Sequence, residues 1–173
     1  MSAHHYDVVV VGAGNAGLTA ALAAQEAGAS VLVLEAASKE LRGGNSRFTG
    51  GIFRTTHDGL EAIKPVLHSD SDKYLDRVTV APYTVEDYTK DWSSTSEGRQ
   101  DPELMRITIE RSWETVQWMH GKGVGFEITA DKLVDPEKQE PGTTYALAPG
   151  GAIRSWEEGV GLIENLFAAV EKT

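Results

Sequence analysis

Two continuous apolar runs, Val8–Val11 and Val31–Leu34, bracket an Ala-rich segment near the start of the chain. Neither run alternates with polar residues, a pattern that predicts parallel strands buried on both faces. The intervening segment predicts a helix over 16–27, with Gly28 as its stop signal. A strand–helix–strand unit of this kind connects by a right-handed crossover. Periodicity then disappears from 36 to 59, where Gly43, Gly44, Asn45 and Ser46 are followed by Gly50 and Gly51. So long a loop is uncommon in a compact domain unless it is functional or disordered, and its aromatic residues and paired glycines favour function. From 60 to 101 the chain is polar, with one short helix predicted over 85–92.

Asp101 followed by Pro102 gives an N-cap and a proline at the first helical position, so a helix is predicted from there to about His120. Met105, Ile109, Trp113, Val116 and Met119 fall on one stripe of that helix and read as its core face. A strand is predicted over 124–128, and an exposed, charged loop over 131–141. Leu162, Ile163, Leu166, Phe167 and Val170 mark the buried face of a last helix, expected to begin after Gly159 or Gly161.

Composition narrows the functional classes. A chain of 173 residues is one domain by length, able to bury about 70% of its unfolded surface. A net charge of −10 argues against nucleic acid or an anionic membrane surface as partner, since both demand a basic face. The absence of Cys excludes disulfides and thiolate chemistry. The polar residues before Val8 leave no room for a signal segment, and no apolar run approaches the ~20 residues of a membrane helix. The expectation is a cytoplasmic protein without membrane insertion. His4 and His5 are terminal, and His57, His68 and His120 lack partners at ligand spacing, so no metal is expected. No G-x-S-x-G elbow and no phosphate-binding G-x-x-x-x-G-K-[ST] occurs.

The glycines carry the chemistry. Gly12, Ala13, Gly14, Asn15, Ala16 and Gly17 form a G-x-G-x-x-G turn between the first strand and the helix, and Glu35 ends the second strand, followed by Ala36. Gly12 permits the tight turn, Gly14 lets the backbone approach a pyrophosphate, and Gly17 lets the helix lie close to the strand. The helix N-terminus offers free N–H groups and partial positive charge to phosphates, and Glu35 is placed to accept hydrogen bonds from an adenosine ribose. The pattern predicts an α/β, Rossmann-like dinucleotide-binding fold with a parallel central sheet flanked by helices. In 43–51 the glycines let backbone N–H groups face a planar ligand, with Asn45, Ser46 and Thr49 adding short polar groups. A nicotinamide site does not need such a segment directly after the second strand, whereas a flavin does.

Together these motifs resemble the fumarate reductase/succinate dehydrogenase flavoprotein superfamily. The run 42–54 is most similar to FAD-dependent tricarballylate dehydrogenases, and 95–103, Trp118 with Gly123 and Val124, and 159–169 resemble the same branch. The resemblance implies extended FAD, with Gly12, Gly14 and Gly17 at the pyrophosphate and Glu35 at the ribose. It also implies that Gly44, Asn45, Ser46, Gly50 and Gly51 lie along the pyrophosphate and flavin. Relatives with covalent flavin carry a His just before the second Gly-Gly. Gly44 and Asn45 occupy that region here and Cys is absent, so the FAD is expected to be non-covalent.

Such enzymes usually run two to three times longer, with a capping domain and a C-terminal return that carry the substrate-binding Arg and His. The resemblance therefore implies that 1–173 is the N-terminal part of an FAD-binding domain: a strand–helix–strand unit at 6–35, a flavin loop at 36–59 and a mainly helical remainder. Its catalytic residues are unassigned, its redox partner is open, and its implied substrate is a small carboxylic acid. Arg47 and Arg54, beside the glycine segment, read either as anion binders or as structural arginines. The alternatives are a nicotinamide-dependent oxidoreductase, a non-catalytic cofactor-binding fragment, and a relative of the ketosteroid dehydrogenases, whose second glycine motif has a similar layout.

Overall fold

The computed structural model describes residues 5–131, 134 and 142–172. Its elements run β1 (Val8–Val11), α1 (Asn15–Glu26), β2 (Val31–Leu34), β3 (Ile52–Phe53), α2 (Leu60–Ile63), α3 (Asp72–Leu75) and β4 (Val78–Val80). They continue with α4 (Val85–Ser96), α5 (Pro102–Glu110), α6 (Ser112–Gly121), β5 (Phe126–Ile128), β6 (Tyr145–Leu147), β7 (Ile153–Ser155) and α7 (Glu158–Glu171). The chain divides into two compact units, one formed by 1–51, 122–124 and 155–173, the other by 52–121 and 125–154.

In the first unit β1 and β2 pair in parallel, with Val8 opposite Val31 and Val11 opposite Leu34. The Asp7 carboxylate accepts from the Ser30 N–H (2.8 Å) and hydroxyl (2.7 Å), which ties the starts of both strands together. Leu18, Ala21 and Leu22 form the buried stripe of α1, which packs on the pair. Gly28, at φ +85°, ends that helix as expected. The strands are not buried on both faces, however. Val9, Val11 and Leu34 stand 54%, 82% and 47% exposed, because among the described residues this sheet has only two strands and α1 covers one face of it.

Helix α7 packs on α1 and on the segment at 44–48, with Leu162, Ile163, Leu166 and Ala169 among its buried residues. It begins before both glycines that were expected to precede it. Their role is packing: a Cβ on Gly159 would lie 2.6 Å from the Arg47 carbonyl oxygen, and one on Gly161 would meet the Trp156 carbonyl. The entry to α7 is strained, with Glu157 and Glu158 both in the left-handed region at φ 58° and 54°. Two bonds hold it there, Ser155 Oγ–H to the Glu158 carbonyl (2.7 Å) and Gly159 N–H to the Thr49 carbonyl (3.0 Å).

In the second unit β3 and β7 pair antiparallel, β5 lies on the other side of β7, and β4 pairs in parallel with β6. Helix α4 runs four residues past its expected end. A capping box between Thr84 and Asp87 starts it, and Glu97 and Gly98, both at positive φ, stop it. The expected long helix from Pro102 is two helices. Asp101 caps α5 through the N–H groups of Glu103 and Leu104, both at 2.9 Å. The break falls at Arg111, where the Ser112 hydroxyl donates to the Ile109 carbonyl (2.8 Å) and accepts from Thr56 N–H (3.0 Å). That side chain competes with the helical backbone. Ile109, Val116 and Met119 of the expected stripe are buried, and Met105 packs on a cluster of Tyr83, Tyr88 and Ile109. Of the charged stretch 131–141 only Asp131 and Val134 lie among the described residues, and Val134 is buried rather than exposed. Among the described residues no helix is long and apolar enough to cross a membrane.

Candidate functional site

The C-terminal ends of β1 and β2 and the N-terminus of α1 converge within the first unit. Gly12 N–H donates to the Leu34 carbonyl at 2.7 Å, carrying the strand pairing into the glycine turn. Gly12 sits at φ +93° with open space where a side chain would project. Gly17 is a packing glycine, since its Cβ would meet the Gly12 carbonyl and lie 3.3 Å from Val10 Cγ1. The N-cap of α1 is Gly14, whose extended backbone offers no side-chain cap, and no acid occupies the first turn. The leading N–H groups and the positive end of the helix dipole are therefore not neutralised by the helix's own side chains. Ala13 is buried behind the turn. Asn15 Oδ1 is buried without a hydrogen-bond partner among the described residues.

Glu35 turns back toward the same turn. Its carboxylate accepts from Ala37 N–H (2.9 Å, Oε1) and Ala13 N–H (3.0 Å, Oε2). Those bonds, Ala37 first, hold its carboxyl below the usual range. Glu35 is thus an anion with lone pairs to spare, an acceptor for hydroxyl donors beside the exposed Ala36.

The second glycine segment joins this site. Gly43 enters the left-handed region at φ +108° and starts a 3₁₀ turn over Gly44–Phe48. The Ser46 hydroxyl accepts from Asn15 N–H at 3.1 Å, and a Cβ on Gly14 would lie 3.3 Å from the Gly43 carbonyl and 3.4 Å from Ser46 Oγ. Gly44, Asn45 and Gly50 are exposed, with open space at both glycines. Gly51 is buried. Its carbonyl accepts from Ser155 N–H at 2.8 Å, and a side chain there would strike the Ser155 hydroxyl.

What holds this segment in place was not legible in the sequence. Glu164 of α7 takes one guanidinium on each carboxylate oxygen, Arg42 Nη2 at 2.8 Å and Arg47 Nη1 at 2.8 Å. Arg42 also reaches Glu171 at 3.3 Å and lies 3.6 Å above the Phe167 ring. Arg42 and then Arg47 hold the Glu164 carboxyl below its ordinary range. Ile163 fills the space beside Gly43, its Cγ2 only 2.6 Å from where a Cβ would sit. Arg47 is accordingly a structural arginine. Arg54, in the second unit, pairs with Asp91 at 2.7 Å and with the Tyr83 hydroxyl at 2.8 Å. Among the described residues no three His, Asp or Glu side chains gather to hold a metal ion.

Residues 7–172 match the family described as FAD binding domain. Among curated proteins, a vinyl phenol reductase of Lactiplantibacillus plantarum is 35% identical over 122 residues, covering 70% of this chain. A 4-oxocyclohexanecarboxylate 2-dehydrogenase of Sinomonas cyclohexanicum is 34% identical over 140 residues, covering 79% of this chain. The chain spans 21% of the length of each of these two relatives. In three dimensions it is similar to a flavocytochrome c3 fumarate reductase in its open conformation, with a TM-score of 0.63 at 23% identity over 96% of this chain and 25% of that one. With the match running over nearly all of its residues, the chain belongs to the FAD binding domain family of the fumarate reductase/succinate dehydrogenase flavoprotein superfamily, whose cofactor is FAD.

Proposed function

We propose that residues 1–173 are the N-terminal part of the FAD-binding domain of an oxidoreductase acting on a small carboxylic acid such as tricarballylate. In this reading Gly12, Ala13, Gly14, Asn15, Ala16 and Gly17 lie along the pyrophosphate, and Glu35 and Ala36 lie at the adenosine ribose. Gly44, Asn45, Ser46, Gly50 and Gly51 line the side toward the flavin. The observation that carries the reading is the Asn15 N–H to Ser46 Oγ contact, which joins a dinucleotide turn to a second glycine segment. A nicotinamide site would not require that second segment.

The residues fit the group. Gly12, Gly44 and Gly50 open onto empty space that any Cβ would enter, and the helix N-terminus is capped by a residue with no side chain. Bound FAD supplies two-electron chemistry, exchanging hydride with a carbon beside a carboxylate. The chain's own share is to bind and orient: helix N–H groups stabilise phosphate charge, and ionised Glu35 accepts from hydroxyls. With no Cys in the chain and no His in 43–51, attachment is non-covalent. The carboxylic-acid class is supported by the name of the cyclohexanecarboxylate dehydrogenase relative.

Two measurements test this. Acid precipitation of the full-length protein should release all yellow colour into the supernatant, whereas a yellow, fluorescent pellet contradicts non-covalent binding. The full-length protein should also reduce an artificial electron acceptor with tricarballylate or a similar acid, and no turnover with any carboxylic acid contradicts the substrate class.

A further inference from the structure

The second unit holds a cleft of about 450 Å³ bordered by β3, α4, α5 and α6. Phe53, Tyr88, Ile107 and Val116 give it apolar walls, and Arg54 and Arg111 bring two guanidinium groups to it. Among the described residues that line it there is no acid, although the chain carries a net charge of −10. Both arginines are held with donors to spare. The bonds of Arg54 to Tyr83 and Asp91 use Nη1 alone, and its guanidinium lies 5.7 Å and 6.0 Å from the Tyr83 and Tyr88 ring centres. Arg111 sits at the break between α5 and α6 and contacts Glu114 through Nε alone, at 3.3 Å. A guanidinium carries five donors, so each retains most of its fork. A neighbouring cleft of about 420 Å³ shares Arg54 and Tyr88 but is lined by Asp91, whose charge opposes an anion.

We infer that the larger cleft binds a small aromatic carboxylate, with its carboxylate against Arg54 and Arg111 and its ring against Phe53 and Tyr88. Paired guanidinium groups are matched to a carboxylate by charge-assisted hydrogen bonds. Aromatic walls favour a ring over a compact inorganic anion. The volume lies within the range of small-molecule sites, roughly 300–1,000 Å³. No residue of the FAD reading takes part, so the two stand or fall separately.

The test is an NMR titration of the full chain with benzoate at low salt, with benzamide and inorganic phosphate as controls and flavin content recorded from visible absorbance. Benzoate should bind, weaken as salt is added, and exceed benzamide and phosphate by at least about tenfold. Arg111→Gln changes an exposed side chain and should weaken benzoate about tenfold or more with the melting temperature unchanged. Thr115→Glu, which sets a carboxylate on the rim, should do the same. Absence of benzoate binding, equal binding of benzamide, or unchanged affinity in both variants would overturn the assignment.

Discussion

The turn at 12–17 and the segment at 43–51 meet at one hydrogen bond, yet they are built by different means. The first is local. Gly12 bonds to the end of β2, Glu35 returns to Ala13 across 22 residues, and Gly17 packs under the turn it belongs to. The second is held from far along the chain, by Glu164 reaching back 122 residues to Arg42 and 117 to Arg47, and by Gly159 giving room to the Ser46 and Arg47 carbonyls. A strand–helix–strand unit organises its own glycines, whereas a glycine loop without regular structure takes its shape from whatever it packs against.

The local turn should suffer most from Gly17→Val. The new side chain must occupy the Gly12 carbonyl position, so stability should fall by about 3 kcal/mol or more in denaturant melts. A smaller loss would mean that the turn is looser than its geometry. Glu164→Ala sharpens the other side. It takes the carboxylate from the largely covered Arg47 and leaves Arg42 only Glu171, but the lost carboxylate is itself 43% exposed, so after discounting for solvent a loss of about 1–2 kcal/mol is expected. FAD affinity should fall with it, because Ser46 is no longer held at Asn15.

The pH dependence has a definite sign. The Glu164 carboxyl is lowered from 4.5 in the folded chain, so its stabilisation is present above that value and is lost as pH falls through the folded value. The stability difference between wild type and Glu164→Gln should therefore shrink below pH 4.5, and a difference that persists into acid would contradict the clamp. The most confined effect belongs to Gly28→Ala. At φ +85° it should cost ~1–2 kcal/mol in thermal melts and leave FAD affinity unaltered, since it lies at the far end of α1.

Much of the first unit was legible because its signals are short-range. The apolar runs, the glycine spacing and Gly28 each state a local backbone requirement, and β1, α1 and β2 follow with shifts of one residue. Burial was misjudged on one face of that sheet, because continuous apolar runs report the number of covering layers only when those layers are present. The break at Arg111 was missed because Ser112 makes a poor helix interior only when Thr56, 56 residues away, engages its hydroxyl. The early start of α7 was missed because glycine reads as a terminator, and its packing against Ser46 and Arg47 has no local signature. Glu164 has no sequence signature of its own, because its two arginines lie 122 and 117 residues away.

If both glycine segments hold one FAD, Gly14 lies where they touch, its Cβ position 3.3 Å from the Gly43 carbonyl and 3.4 Å from Ser46 Oγ. The direct measurement is flavin content of the full-length Gly14→Val protein, read from visible absorbance beside its circular dichroism. The variant should be folded and colourless, while wild type carries stoichiometric yellow flavin. A Gly14→Val protein that keeps stoichiometric flavin would contradict it.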